Sequence, residues 1–220
     1  AFRAAPLYAI YDTRASLALP CAGTIGAWLR AGIRVIQYRH KGGFERRHFE
    51  ECRAAAMLAR EADAVFVVND RADVALLTGA SGVHVGQEDL APVDVRKLLP
   101  SPAIVGHSTH SSQQLNAALA MPIDYVAVGP IFSTASKENP DPVVGVSFVA
   151  EARRAIALPL VAIGGITRDN LAAVLSAGAD AVALISGLVA DCGSEQEIEV
   201  RARQMLDAAS AAVRQEPGAP

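Results

Sequence analysis

The sequence has little cysteine and no long apolar run, and both shortages exclude classes of protein. Cys21, Cys52 and Cys192 are scattered along the 220 residues, with no CxxC pair among them. This pattern predicts neither a disulfide framework nor a zinc site. No apolar run approaches the roughly 18 to 20 residues of a membrane-spanning helix, and the beginning of the chain lacks the pattern of a secretory signal. We therefore expect a cytoplasmic protein without a membrane partner.

An excess of basic charge is also lacking, because the formal net charge is -3. A nucleic acid would find no broad attractive field on such a chain, so we expect no nucleic-acid partner. Hydrophobic residues make up 51% of the sequence, charged residues 20% and aromatic residues only 5%. This Ala-, Val-, Ile- and Leu-rich mixture is typical of a buried parallel sheet covered by helices.

Eight apolar runs recur along the chain, and each has the length of a buried strand. The runs are residues 7–11, 35–38, 65–68, 83–85, 104–106, 125–128, 160–163 and 181–185. Ala-rich segments with apolar residues near helical spacing separate most of them, such as 49–60, 112–119, 169–177 and 195–212. The pattern predicts strands and helices in alternation.

About eight strand–helix alternations in 220 residues favour an α/β fold, and specifically a single (β/α)8 TIM barrel. A doubly wound open sheet is the alternative. Polar side chains at Ser111 and at residues 167–169 predict two helix starts. No internal linker is visible, so we expect one domain over residues 1–220, with a tail at 215–220 whose composition predicts fraying.

Basic and amide side chains follow the second run. Gln37, Arg39 and Lys41 alternate along the chain, so an extended strand points them to one side. In a parallel barrel the chemistry takes place at the carboxyl ends of the strands, where the loops converge. The chain has only three lysines, and both Lys41 and Lys137 follow strand candidates in polar segments. These positions favour an anion site over an ordinary solvated strand end.

Acidic side chains follow the next two runs. Asp70 comes after the third run and Asp89 after the fourth, so the two carboxylates can share one hard cation. Mg²⁺ takes one or two carboxylates and completes its shell with water and phosphate oxygens. His107 and His110 lie in a segment that we expect to be a hydroxyl-rich turn, and no further ligand at a recognisable spacing accompanies them, so we expect no zinc there.

The last three runs lead into segments suited to anions. Residues 129–142 form a long polar segment with the composition of a lid. Gly164 and Gly165 follow the seventh run, and Ser186 and Gly187 the eighth, each before an expected helix start whose N–H groups attract anions. This pairing is the recurrent phosphate site of the barrel. Two separate anion sites predict a pair of phosphorylated substrates.

In order and spacing, these segments resemble the thiamine phosphate synthase family over residues 7–188. The resemblance rests on IQYRHK (36–41), VNDRADVAL (68–76), GVHVGQEDL (82–90), GHSTHS (106–111), DYVAVGPIFSTASK (124–137), VAIGGI (161–166) and GADAVALIS (178–186). It implies a Mg²⁺-assisted transferase that joins 4-amino-2-methyl-5-hydroxymethylpyrimidine diphosphate to a thiazole phosphate and releases diphosphate. In that family the diphosphate leaves before the thiazole nitrogen attacks.

The resemblance also implies roles for individual residues. The pyrimidine diphosphate would be held by Gln37, Arg39, Lys41, Asn69, Ser108 and Lys137. Of these, Arg39, Lys41, Ser108 and Lys137 would be catalytic. The thiazole phosphate would be held by Thr134, Ser136, Gly165, Ile185 and Ser186. Asp70 and Asp89 would be the Mg²⁺ ligands.

Other functions remain open from the sequence. A related barrel, the thiazole tautomerase, shares most of these segments and would use His110 as acid or base. Since that relative tends to lose the acidic residue at the position of Asp89, GQED favours the synthase. A non-catalytic sensor of phosphate ligands and another phosphate-handling isomerase are the remaining alternatives. The oligomeric state, including a homo-oligomer, is left open.

Overall fold

Eight parallel strands form a closed barrel in the computed structural model, which describes residues 2–15, 19–134 and 141–214. The strands are β1 (Leu7–Asp12), β2 (Val35–Arg39), β3 (Val65–Asn69), β4 (Gly82–Val85), β5 (Ile104–Thr109), β6 (Tyr125–Val128), β7 (Leu160–Ile163) and β8 (Ala181–Leu184). Each strand pairs with the next, and β8 pairs with β1. The predicted (β/α)8 barrel is confirmed, and the open sheet is excluded.

A helix follows each strand and covers the outside of the barrel. The helices are α1 (Cys21–Ala31), α2 (Arg46–Glu61), α3 (Ala72–Thr78), α4 (Pro92–Leu98), α5 (Ser112–Ala118), α6 (Gly145–Ala155), α7 (Leu171–Ser176) and α8 (Glu195–Arg214). Within the described residues, none of these helices is both long and apolar enough to cross a membrane. Because the helices cover the sheet, the strands read as nearly unbroken apolar runs.

The barrel has an outer and an inner apolar cluster. The outer cluster lies between the strands and the helices, and α8 closes the helical ring against α1. The inner cluster includes Tyr8, Val35 and Tyr125. A short 3-10 helix (Phe2–Ala4) precedes β1, and the Phe2 ring packs against Tyr125 with a centroid distance of 4.2 Å. The barrel interior is therefore a packed core.

Two local predictions were wrong. The hydroxyl-rich segment after the fifth run is not a turn up to residue 111, because β5 continues to Thr109 and pairs with β6 as far as Val128. This ladder satisfies backbone groups that a turn would leave to solvent. Ser111 then caps α5, as expected, by accepting a hydrogen bond from the N–H of Gln114.

The second error concerns the start of α7. We expected it near residues 167–169, directly after the glycines of β7, but the helix begins at Leu171. Asn170 instead stabilises the preceding turn, since its Oδ1 accepts a hydrogen bond of 2.8 Å from the N–H of Thr167. The predicted tail at 215–220 and part of the predicted lid lie outside the described residues.

Candidate active site

A cavity of about 1220 Å³ opens at the carboxyl ends of the strands, and all eight strands or their loops contribute to its wall. The residues singled out in the sequence that line it are Gln37, Arg39, Lys41, Asn69, Asp70, Asp89, Ser108, Thr134, Gly165, Ile185 and Ser186. Ser136 and Lys137 lie outside the described residues. The barrel therefore brings together residues that are distant in the sequence, because parallel strands all end on the same side.

A basic and two acidic side chains meet at the ends of β2, β3 and β4. Lys41 Nζ donates a hydrogen bond of 2.6 Å to Asp70 Oδ2. The carboxyl groups of Asp70 and Asp89 also interact with each other. Asp89 Oδ2 in turn accepts the N–H of Gly86 at 2.7 Å. Asp70 has a φ of 61°, an uncommon conformation that aspartate tolerates better than most residues.

The pKa values of the two carboxyl groups are displaced in opposite directions. Burial, together with the neighbouring Asp89, raises the pKa of Asp70 to about 6, although Lys41 opposes the change. Burial alone would raise the pKa of Asp89, but its hydrogen bonds to Asp70 and Gly86 outweigh burial and lower it. Below about pH 6 the pair therefore shares one proton, and above it both carboxyl groups are mainly ionised.

A divalent cation fits this carboxyl pair, because it can replace the shared proton between two hard oxygen donors. Among the residues that the structure describes, no group of three or more His, Cys, Asp or Glu side chains could hold a metal. Water and substrate oxygens could complete the shell of a cation beside Asp70 and Asp89. Mg²⁺ commonly binds in this way.

Asp12 fixes the position of Arg39, a contact that the sequence did not reveal. The guanidinium of Arg39 forms an ion pair with Asp12 Oδ2. Asp12 is 3% exposed, and its Oδ1 accepts the N–H of Arg14 at 2.8 Å. The only sequence signal was its place at the end of the first strand. Since an arginine carries five N–H donors, this pair leaves others available to a ligand in the cavity.

Asn69, the last residue of β3, carries a buried donor without an acceptor. Its Nδ2 has no hydrogen-bond partner within the described part of the chain, and the residue is 8% exposed. A buried donor left in this way costs about 1 to 3 kcal/mol. Asn69 is also one of the residues that line the cavity.

A chain of hydrogen-bonded side chains lies at the base of the cavity, and all of its members except Tyr125 line the cavity wall. Gln37 Nε2 donates to the hydroxyl of Tyr8 at 2.7 Å, and the hydroxyls of Tyr8 and Tyr125 are 3.0 Å apart. His84 Nδ1 lies 2.8 Å from the Tyr125 hydroxyl, and its Nε2 lies 2.8 Å from Ser108 Oγ. Burial lowers the pKa of His84 to about 3, so its imidazole is neutral near pH 7.

The loops after β6 and β7 are in close contact. Gly164 and Gly165 have φ values of 104° and 62°. A Cβ on Gly165 would lie 2.4 Å from the carbonyl oxygen of Ser133. The N–H of Phe132 donates to the carbonyl of Gly164 at 3.0 Å. Glycine is therefore required at residue 165 by both its backbone conformation and its surroundings.

Strand order separates the two sets of residues assigned from the sequence. The described residues assigned to the pyrimidine diphosphate lie on or after β2, β3 and β5, and those assigned to the thiazole phosphate follow β6, β7 and β8. Ser186 begins a short 3-10 helix directly after β8. His110, the candidate of the tautomerase hypothesis, lies near this boundary, with its Nδ1 2.6 Å from the carbonyl oxygen of Gly129. One cavity can thus accommodate two ligands side by side.

Comparison with known proteins identifies relatives of this chain. Residues 7–188 match the family described as thiamine monophosphate synthase. The thiamine-phosphate synthase of Koribacter versatilis (strain Ellin345) is 42% identical over 189 residues, which cover 84% of this chain and 89% of the relative. That of Lawsonia intracellularis (strain PHE/MN1-00) is 40% identical over 205 residues, or 93% of this chain and 92% of the relative.

A solved structure shows the same likeness in three dimensions. The thiamine phosphate pyrophosphorylase of Pyrococcus furiosus superposes with a TM-score of 0.85 and is 30% identical. The alignment covers 96% of this chain and 98% of that one. By its family match, its relatives and its fold, the chain belongs to the thiamine monophosphate synthase family.

Proposed function

We propose that this chain is a thiamine-phosphate synthase that joins a pyrimidine diphosphate to a thiazole phosphate within the single cavity of the barrel. The observation that carries the assignment of the site is the group formed by Lys41, Asp70 and Asp89 beside the unsatisfied amide of Asn69. This group combines positive charge, hard oxygen ligands and a free donor. A diphosphate with its divalent cation needs all three.

Charged and polar side chains at the ends of β2, β3 and β5 would bind the pyrimidine diphosphate. Arg39, held by Asp12, and Lys41 direct positive charge at the phosphate oxygens. Asn69 and Ser108 offer neutral donors. Asp70 and Asp89 would hold Mg²⁺, which when bound supplies further positive charge to the diphosphate. Lys137, outside the described residues, is proposed for the same task.

The reaction requires little acid or base chemistry from the protein. The bond between the pyrimidine methylene carbon and the diphosphate oxygen breaks, and the oxygen keeps the electron pair. The methylene carbon is then captured by the thiazole nitrogen, whose lone pair forms the new C–N bond. Arg39 and Lys41 stabilise the charge that develops on the departing diphosphate, because preorganised charges act most strongly in a site with little water.

The second substrate would bind on the side of β6, β7 and β8. Thr134, Gly165, Ile185 and Ser186 line this part of the cavity, and Ser136 is proposed from the sequence. Close contact between the loops after β6 and β7 fixes the backbone around Gly165. A rigid backbone here would hold the thiazole phosphate with its ring nitrogen toward the methylene carbon of the other substrate.

An assay with both substrates and Mg²⁺ tests this proposal. We expect thiamine phosphate and diphosphate to form in equal amounts, and chelation of the metal to abolish both. Asp70→Asn should lower kcat/KM by about 10²- to 10³-fold, the typical loss for one preorganised electrostatic group. Asp73→Asn is the matched control, because Asp73 lies three residues further on, exposed and paired with Arg71.

Several outcomes would contradict the proposal. Binding of both substrates without product would favour the phosphate-ligand sensor. Isomerisation of a thiazole phosphate without the second substrate would favour the tautomerase. If Asp70→Asn and Asp73→Asn lower kcat/KM equally, the role assigned to Asp70 is wrong, but the proposed overall activity is not affected.

A further inference from the structure

Four hydrogen bonds cross the barrel interior and connect Gln37 to Ser108 through three side chains, of which Tyr8 and His84 also line the cavity. The chain begins at Gln37 on β2, passes through Tyr8 on β1, Tyr125 on β6 and His84 on β4, and ends at Ser108 on β5. The four distances lie between 2.7 and 3.0 Å. None of the three linking residues is assigned to a substrate by the resemblance described above.

A glycine allows Tyr125 to reach across the barrel. A Cβ on Gly106 of β5 would lie 2.0 Å from the Tyr125 ring, so this ring occupies the space of an absent side chain. The ring of Tyr8 meets it edge-on at 6.1 Å, and Phe2 closes the space below both. Packing therefore fixes the two hydroxyls, whose burial requires that each has a partner.

Donor and acceptor roles along this chain follow from counting protons. Gln37 Nε2 can only donate, so the Tyr8 hydroxyl accepts and gives its own proton to Tyr125. Tyr125 then donates to His84 Nδ1, and the proton on His84 Nε2 is donated to Ser108 Oγ. In the reverse direction, Tyr8 would accept from both neighbours and its proton would have no acceptor among these five groups.

We infer that Tyr8, Tyr125 and His84 are positioning residues that orient Gln37 and Ser108 for the pyrimidine diphosphate. One amide proton of Gln37 is held by Tyr8, so its oxygen and its second amide proton remain for the ligand. Ser108 Oγ accepts from His84, so its own proton is directed to an acceptor on the ligand. This inference rests on the proposed function, since it concerns the same site.

Tyr125→Phe interrupts the chain in its middle and keeps the packed ring. We expect kcat/KM for the pyrimidine diphosphate to fall about tenfold, the effect of one buried hydrogen bond. The KM for the thiazole phosphate should not change, because the chain ends only at Gln37 and Ser108. Tyr38→Phe is the control, because it removes a buried hydroxyl that donates to Glu51 on α2 at 2.6 Å. In this variant, kcat/KM for the pyrimidine diphosphate and KM for the thiazole phosphate should both stay unchanged.

A double-mutant cycle tests the coupling between Tyr125 and Ser108, which are bridged by His84. In wild type, Ser108→Ala should clearly lower kcat/KM for the pyrimidine diphosphate. In the Tyr125→Phe background the same substitution should lower kcat/KM much less. Should Tyr125→Phe fail to fold, Tyr8→Phe interrupts the same chain one bond earlier and enters the same cycle.

Different results separate this inference from the function on which it rests. Additive losses, or equal rises in KM for both substrates, overturn the positioning role while wild-type turnover still supports the proposed function. A wild-type chain that forms no product overturns the proposed function and the positioning role together. Coupled losses confined to the pyrimidine diphosphate support both.

Discussion

At the residue scale, Asn69 illustrates how stability and binding oppose each other in this cavity. Its side-chain Nδ2 is buried without a partner in the described structure, whereas Asn170 uses both ends of its amide, toward Thr167 and Gly165. An unsatisfied donor lowers the stability of the ligand-free protein. Thr24 and Trp28 also carry buried polar atoms without a partner in the described structure, but of the three residues only Asn69 lines the cavity.

Asn69→Leu should therefore raise the free energy of unfolding by about 1 kcal/mol, since it removes an unsatisfied buried donor. The same change should raise the KM for the pyrimidine diphosphate about tenfold, because one hydrogen bond to the ligand is lost. Urea unfolding and steady-state kinetics measure the two effects. Asn170→Leu is the control and should lower stability, because its amide is paired. A loss of stability in Asn69→Leu would show that its amide has a partner.

At the element scale, the loop after β7 depends on a backbone conformation. Gly165 has a positive φ and lies against the carbonyl of Ser133, so the loops after β6 and β7 fit together only without a side chain there. The sequence predicts a role for these glycines, but the start of α7 predicted from the sequence is too early. The segment from residue 166 to Asn170 forms its own turn before α7 begins at Leu171.

Gly165→Ala should displace this loop and raise the KM for the thiazole phosphate at least tenfold, while the KM for the pyrimidine diphosphate stays unchanged. A left-handed conformation alone costs an ordinary residue about 1 to 2 kcal/mol, and the contact with Ser133 adds to it. Steady-state kinetics at varied concentrations of each substrate give the two KM values for each variant. Gly43→Ala is the control, because its Cβ would meet nothing within 4 Å. Equal KM values in wild type and Gly165→Ala would remove Gly165 from the thiazole site.

At the scale of the whole molecule, barrel closure buries a histidine that strands from several parts of the chain surround. His84 contacts Tyr125 of β6 and Ser108 of β5. Burial lowers the pKa of its imidazole from 6.5 to about 3. Between these pH values the unfolded chain binds a proton that the folded chain does not. Stability therefore rises with pH across this window and is lost as the pH falls through it.

His84→Gln should flatten the dependence of unfolding free energy on pH. In wild type, this histidine contributes up to about 1.4 kcal/mol per pH unit below pH 6.5. Urea unfolding of both proteins at pH 7, 6 and 5 gives the slopes. His107, whose pKa is also lowered by burial, remains in both proteins. Parallel curves for the two proteins would mean that His84 does not titrate as a buried neutral group.

Much of the site was predictable because it follows from strand order. Arg39, Asp70 and Asp89 each come directly after an apolar run or one short loop later, and parallel strands bring such positions to one end of the barrel. The fold and the family predicted from these segments are confirmed. The roles of the individual residues stay predictions, as does the single-domain organisation.

Sequence by itself determined where the strands and helices lie, because burial on a strand or helix leaves a local pattern of apolar residues. Tertiary structure alone decided the partners of the polar groups. Examples are the pair of Asp12 and Arg39, the Asn69 amide without an acceptor among the described residues, and the chain from Gln37 to Ser108. These contacts join different strands, and they form only when the two atoms come within hydrogen-bonding distance. No local pattern encodes them, since they exist only when the barrel closes.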